Sequence, residues 1–412
     1  MKIPSRSDVE ALDRSDPLAP MRGRFHLPEG MIYLDGNSLG PMARSVPAAM
    51  DTTLREEWAT GLISSWNNAG WWDLAITLGD RIGQLLGAQS GQIVVSDSTS
   101  VNLYKALHAA LALRPDRNVI LSEAESFPTD LYMIEGVLQA CPGSECRLVD
   151  FSEPGLNDAL DDQVAVVLLS NVNYRSGALL DMQAITRKAH EAGALVVWDL
   201  CHSAGVIPME LDAWDVDFAV GCTYKYLNGG PGSPSFIYAP KRLHDTIKQP
   251  LSGWWGHAAP FAFETGYRAA SGVRAFLCGS QPILSMAALA AALGAYDGVE
   301  LADIRTKSQE LTGLFIELVA ANCPSLGIAS PCDGQVRGSQ VALAHENGYA
   351  IIQAMIARGI VGDFRAPDIL RFGFAPLYIR YVDVWDAADQ LADILNTHEW
   401  REPRFQVRSE VT

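Results

Sequence analysis

No stretch of about 20 uncharged apolar residues occurs in this 412-residue chain, so a membrane-spanning helix is not expected. No CxxC pair is present, which removes the usual thiolate zinc site. The nearest approach to an HExxH metal motif, His345-Glu346-Asn347-Gly348-Tyr349, lacks its second histidine, and no metal is expected. Seven cysteines (141, 146, 201, 222, 278, 323 and 332) are an odd number without the spacing of a disulfide framework. Several lie in apolar, strand-like context, where free cysteine behaves as a small hydrophobe. Positive charge is scarce: 31 Lys and Arg against 48 Asp and Glu leave a formal charge of -17. With no Lys/Arg run to offset it, a nucleic-acid partner is not expected. The polar, acidic opening MKIPSRSDVEALDRSD has no apolar core of a signal peptide and no transit-peptide character, so a cytoplasmic location is expected.

Hydrophobic residues make up 48% and charged residues 19%, an ordinary globular balance, and the length suggests two domains. Strands are predicted at Gln92–Ser96, Asn118–Ser122, Cys146–Phe151, Val164–Ser170, Ala194–Asp199, Asp217–Cys222 and Ser235–Tyr238. Runs such as VAVVLL and ALVVWDL are apolar on both faces, as in strands covered on both sides. Helical periods at 98–113, 129–140 and 182–192 alternate with them, which reads as a mostly parallel sheet in an α/β domain. After Pro282 come two Ala/Leu-rich helical segments (283–298 and 301–322), strand-like SQVALAH and ILRFGF, and helices at 349–358 and 382–396. The expected division is an N-terminal segment 1–45 packing beside a small α+β domain of residues 283–412, with a large α/β domain at 46–282.

In open α/β sheets ligands gather beyond the carboxyl ends of strands. Beyond the first predicted strand, Asp97-Ser98-Thr99-Ser100 opens a helix, which suits either an anion site or a plain N-cap. Asp199 closes an apolar strand, where a carboxylate is costly without a cationic partner such as a protonated pyridine nitrogen; capping the next helix or pairing with an arginine is the plainer alternative. His202 follows three residues on. Lys225 follows another strand, flanked by Tyr224 and Tyr226 and followed by Asn228-Gly229-Gly230-Pro231-Gly232. A lysine in that place is a candidate for a Schiff base, although a surface lysine is the usual reading of one such residue. The order of anion cup, acid and lysine, each after a different strand, carries more weight than any one of them.

From about residue 29 onward the chain resembles the kynureninases, which are fold-type-I pyridoxal-phosphate enzymes. The resemblance rests on MIYLDGNSLGP, GLISSWNNAGWW, DSTSVNLYK, ESFPTDLY, WDLCHSAG, GCTYKYLNGGPGSP, LSGWWGH, FLCGSQPI and LRFGFAPLY. It implies a large domain with a mostly parallel seven-stranded sheet flanked by helices, plus the smaller α+β domain. It implies that Lys225 carries pyridoxal 5'-phosphate as a Schiff base, that Asp199 pairs with the pyridine nitrogen, and that Phe127 stacks on the ring with Asp130 and His202 around it. By the same resemblance Thr99, Ser100 and Tyr224 bind the phosphate side, and Ser170 is a further neighbour. Trp254 and Ser280 match positions that reach the cofactor of the adjacent subunit, which implies a homodimer. Arg371 matches the arginine that holds the substrate α-carboxylate, and Trp66 and Asn67 fall where the substrate's aromatic part is contacted.

The implied reaction is hydrolytic Cβ–Cγ cleavage of L-kynurenine to anthranilate and L-alanine, in tryptophan degradation and NAD biosynthesis. Lys225, Tyr224 and Asp199 are its expected catalytic groups, with Lys225 moving the Cα proton and Tyr224 donating or relaying another. Two departures stand out. Ser280 replaces a Thr or Asn common in relatives, which bears on acceptance of 3-hydroxykynurenine, and Cys201 replaces a common Ala. Two rival readings remain. A cysteine desulfurase or lyase of the same fold needs a reactive thiol, for which Cys323 and Cys332 are candidates. Gly36-Asn37-Ser38-Leu39-Gly40 matches the G-x-S-x-G of a serine hydrolase, but Pro41 and its place before the sheet favour a tight turn with Ser38 as a cap.

Overall fold

The runs that are apolar on both faces assemble into one seven-stranded sheet. The computed structural model describes residues 3–150 and 153–408. In it β1 (Ile93–Val95), β2 (Val119–Glu123), β3 (Glu145–Val149), β4 (Val164–Ser170), β5 (Leu195–Asp199), β6 (Phe218–Gly221) and β7 (Phe236–Tyr238) lie in the order β1-β7-β6-β5-β4-β2-β3. β7 is antiparallel to both its neighbours, β1 and β6, and every other pairing is parallel. The predicted strands match these within a residue or two, and Phe151, at the end of the third prediction, lies outside the described residues.

Burial explains the pattern. All seven residues of β4 and all five of β5 are buried, because helices cover both faces. Thr99–Ala112 packs against β4, β5 and β6, and Met182–Glu191 against β5. The segment predicted at 283–298 is helical only from Ile283 to Leu293, and a single 3-10 turn, Gly294–Tyr296, follows. The glycine, a poor helix former, marks where the helix tightens.

Toward the C-terminus a four-stranded antiparallel sheet runs in the order Asp363–Arg365, Ile369–Gly373, Gln340–Ala344, Gly327–Ile328. Its first and last strands are short and were not predicted. The N-terminal region reaches it: Ile32–Tyr33 pairs in parallel with Ile360–Val361, and the Gly373 N–H donates to the Leu34 carbonyl at 2.7 Å. The helix Arg6–Ser15 lies on Tyr381–Thr397, where Asp13 accepts from the Tyr381 N–H at 2.7 Å and Arg6 pairs with Asp386 at 2.8 Å. Among the described residues no single helix is long and apolar enough to cross a membrane.

Leu168, in the middle of β4, is fully buried. Leu168→Ala is expected to cost about 2–5 kcal/mol. A clear fall in the urea midpoint checks this, and an unchanged midpoint would contradict the sheet's central packing.

Candidate active site

A cavity of about 630 Å³ opens at the carboxyl ends of β1, β5 and β6. Its wall includes Ser98, Thr99, Ser100, Phe127, Asp130, Asp199, His202, Tyr224, Lys225, Ser280 and Arg371. Most of the expected site residues therefore meet in one place. Four do not line it: Ser170, Trp66, Asn67 and Trp254.

The helix Thr99–Ala112 points its N-terminus into the cavity. Ser98 caps it, accepting from the Val101 N–H at 3.4 Å, so the plain-cap reading holds for that residue. The first-turn N–H groups of Thr99 and Ser100 have no partner within the helix, and the helix dipole favours an anion there. The preceding residue, Asp97, has φ of 49°, which lets the chain turn abruptly from β1 into that helix.

Asp199 is the last residue of β5 and is buried, accepting from the Cys201 N–H at 2.8 Å. It makes no side-chain ion pair among the described residues, so the arginine alternative for its partner is not realised. Asp130 lies against it, held by the Ser170 hydroxyl at 3.3 Å. Burial, then the neighbouring Asp199 charge, pushes the Asp130 carboxyl well above the usual range, so the pair keeps a proton on Asp130. Ser170 thus acts through Asp130 rather than from the wall.

Lys225 Nζ donates to His202 Nε2 at 3.2 Å and lies 5.9 Å from the centre of the Tyr224 ring. Burial first, then Lys225, Arg371 and Arg365, hold the His202 imidazole well below its ordinary range, so it is neutral and able to accept that proton. Burial, with Cys222 and Cys201 beside it, raises the Tyr224 phenol and keeps it protonated. The loop carrying Lys225 is braced from the N-terminal region: the Gly40 N–H donates to the Tyr224 carbonyl at 2.8 Å. A Cβ on Gly40 would lie 2.3 Å from the Lys225 carbonyl oxygen, so the close approach requires glycine.

The cavity wall also carries an arginine pair. Arg371, 1% exposed, donates from Nε to Asp363 at 2.9 Å, from Nη2 to Ser38 at 2.8 Å and from Nη1 to the Tyr174 carbonyl at 2.6 Å. Arg365 also lines the cavity and bonds the same Asp363 at 2.7 Å. Arg365 and Asp363 had no assigned role in the sequence, and Ser38 was assigned only as the cap of a tight turn. Asp363 sits opposite Arg371 in the antiparallel register and Arg365 lies two residues on, on the same face, a placement that only the folded register reveals. Ser38 donates to Asp363 at 2.6 Å, and no histidine bonds it among the described residues. It is neither a nucleophile nor the cap expected, but a brace for the arginines.

Phe127 is 41% exposed on the cavity wall and meets Tyr174 edge-on at 5.1 Å. Ser280 is exposed and lines the cavity of its own chain, where the resemblance put it against the adjacent subunit's cofactor. Trp66 and Trp254 instead join an aromatic cluster with Trp71, Trp72, Trp255 and Phe261. Asn67 is exposed beside them. The thiols proposed for desulfurase chemistry are elsewhere. Cys323 is buried, with its thiol pushed up to about 11 by burial, and neither it nor exposed Cys332 lines the cavity.

Pyridoxal phosphate fits these donors: an anion cup at a helix N-terminus, a primary amine within the wall, and a buried carboxylate lacking the cation that a pyridinium would supply. Solved structures agree on the architecture. The cysteine desulfurase CsdA of Escherichia coli superposes with a TM-score of 0.77 at 18% identity, covering 92% of this chain and 98% of its own. A C-DES variant with glycine covalently linked to its PLP cofactor gives 0.79 at 16% identity, covering 95% and 99%. The fold is that of the fold-type-I pyridoxal-phosphate enzymes.

Sequence relatives narrow the class. Residues 304–391 match the kynureninase C-terminal domain family. Kynureninases of Burkholderia pseudomallei (strain 1106a) and Pseudomonas fluorescens are each 49% identical over 415 aligned positions, covering 99% of this chain and all of theirs. The chain belongs to the kynureninase family.

Behind the arginine pair, burial first and then Asp363 raise the Asp35 carboxyl to about 7. The folded chain therefore holds a proton that the unfolded chain releases near 3.8, so this group's contribution to stability is present at low pH and is lost as pH rises toward 7. Asp35→Asn is expected to flatten that part of the decline, read as urea midpoints at pH 5 and pH 8. A variant with the wild-type slope would place the titration elsewhere.

Proposed function

We propose that this chain hydrolyses the Cβ–Cγ bond of L-kynurenine to anthranilate and L-alanine, in tryptophan breakdown through the kynurenine pathway. The observation that carries the reading is the meeting of Lys225, the Asp199–Asp130 pair and the Arg371 clamp in one cavity of a full-length kynureninase relative. 3-Hydroxykynurenine is the candidate second substrate, and the cytoplasm the proposed location. The proposed domain division is 46–282 for the cofactor-holding part and 283–412 for the smaller one, with 1–45 packed on the latter.

Bound pyridoxal phosphate supplies an electron sink for the bonds broken at the substrate's Cα and Cβ. In this reading Lys225 tethers it, Asp199 holds a proton on its ring nitrogen, and Thr99, Ser100 and Tyr224 hold the phosphate side. Phe127 covers the ring. Arg371 takes the substrate α-carboxylate, for which its planar fork is suited. Lys225 Nζ would move the substrate's Cα proton, with neutral His202 beside it as an acceptor. Tyr224, held protonated, gives or relays the proton needed as water adds at the γ-carbonyl and anthranilate departs.

A homodimer is part of the proposal. Trp58, Leu62, Ile63, Phe261 and Phe263 are each more than half exposed near the Trp66 and Trp254 cluster. A second copy on this face would cover them and bring Trp254, Trp66 and Asn67 toward the neighbouring cavity, while Ser280 sits at the mouth.

Anthranilate fluorescence from L-kynurenine tests the reaction, and sulfide release from cysteine without anthranilate would favour the desulfurase reading. Lys225→Ala is expected to abolish both the visible absorbance of the holoenzyme and turnover. Arg371→Ala is expected to raise KM about tenfold or more, since it removes a charge-assisted pair that anchors the ground state. An unchanged KM would move the carboxylate site to another arginine. Arg175 and Arg274 are the alternatives, although each is already paired, with Asp368 and Asp73 respectively.

A further inference from the structure

Two thiols sit at the base of the cavity with no part in the reaction. β5 and β6 are paired with Asp199 opposite Val220, and two residues past those positions, beyond the ends of both strands, stand Cys201 and Cys222. The Cys222 N–H donates to Cys201 Sγ at 3.2 Å, and the Cys222 thiol lies 3.8 Å from the Cys201 carbonyl oxygen. Cys201 Sγ is also 3.6 Å from the Thr99 hydroxyl in the anion cup. Both residues line the cavity, and neither is paired in a disulfide. They are 9% and 3% exposed, so the cavity is the route by which a small molecule reaches them.

We propose that Cys201 and Cys222 form a peroxide-sensitive dithiol whose oxidation to a disulfide distorts the cofactor site. With Cys201 Sγ 3.2 Å from the Cys222 backbone nitrogen, the two side chains are close enough for a disulfide to form with a local shift. Although burial opposes it, the neighbouring Cys201 side chain and the Lys225 charge lower the Cys222 thiol, which makes it the member to react first. Its sulfur attacks hydrogen peroxide, forming an S–O bond, breaking O–O and releasing hydroxide that leaves as water with the thiol proton, with reduction of the peroxide. The Cys201 sulfur then displaces hydroxide from that sulfenic acid, which leaves as a second water with the Cys201 proton. The disulfide would pull on both ends of the site. The Cys201 N–H positions the Asp199 carboxylate, and Cys222 precedes Thr223-Tyr224-Lys225. A bound cofactor would cover the thiols, so oxidation is expected to run faster in the full-length chain stripped of it.

The inference rests on this cavity being the cofactor's, but the thiol chemistry is read without cofactor. The stripped chain and the holoenzyme are treated with hydrogen peroxide and then examined by thiol counting in denaturant, intact mass and peptide mapping. The expected result for the stripped chain is a fall from seven free thiols to five. A loss of about 2 Da and a Cys201–Cys222 cross-linked peptide would accompany it. Cofactor rebinding, followed by absorbance, should weaken about tenfold and recover with dithiothreitol. Cys201→Ser and Cys201→Ala should form no cross-link and keep their cofactor affinity after peroxide. The proposal is overturned if the losses map to exposed Cys332 or other cysteines while these two remain reduced. It is equally overturned if the cross-link forms and rebinding is unchanged, or if either variant loses affinity as the wild type does. A chain that cross-links but binds no cofactor even when reduced would sink the functional reading and leave the thiol chemistry standing.

Discussion

Within β4, β5 and β6, the middle strands of the large sheet, charge enters only where a strand ends. β4 and β5 are buried from end to end, so an ionised side chain within them would be stranded in an apolar layer without solvent. Asp199 is tolerated because it is the last residue of β5, where backbone N–H groups and a cavity replace the packed helices. Lys225 stands just past β6 and the Thr99 cup just past β1 under the same constraint. The parallel order of β4, β5 and β6 brings those ends to one edge, and that is why residues far apart in sequence share a cavity.

Acidic and basic groups both line the cavity. Asp130 keeps a proton beside Asp199, while Arg365 and Arg371 gather around the shared carboxylate of Asp363. His202 is kept neutral by burial and by the cations near it, so the Lys225 amine has an acceptor rather than a second positive charge beside it. The arginines cost less to bury because Asp363 and Ser38 already satisfy part of their donor sets. A substrate carboxylate would meet a guanidinium held in place rather than one that must be ordered on binding.

Residues at strand ends were legible in the sequence, because an Asp after VVW or a Lys between two tyrosines breaks an apolar pattern visibly. The seven strands were legible for the same reason: two-sided burial leaves long apolar runs. The tight turn at Ser38 was legible, but its side-chain role was not, because its partners Asp363, Arg365 and Arg371 lie more than 300 residues away. Arg365 was overlooked since nothing in Asp363-Phe364-Arg365 announces a strand of three residues. Only the antiparallel register across a turn places Asp363 beside Arg371. The Thr99 cup was only half legible: one hydroxyl, Ser98, does serve as an ordinary cap, and the sequence offers no way to tell which of three adjacent hydroxyls will.

Trp66, Asn67 and Trp254 expose a different limit, one of assembly rather than of local pattern. They lie outside the wall of the single-chain cavity, among aromatics that pack on one another at 4.4–6.4 Å and leave Phe261 65% exposed. A lone folded chain has little reason to keep Ile63 and Phe263 81% exposed beside them, since apolar surface of this extent favours burial against a partner. If that face closes on a second copy, the aromatic cluster becomes a wall for the neighbouring cavity. Specificity for the aryl end of the substrate would then be built at the interface, while the charge chemistry stays within one chain. The division follows from the physics of the two tasks. Placing charge needs strand ends and helix termini of one core, whereas enclosing a flat apolar ring needs only surface, which two chains can share.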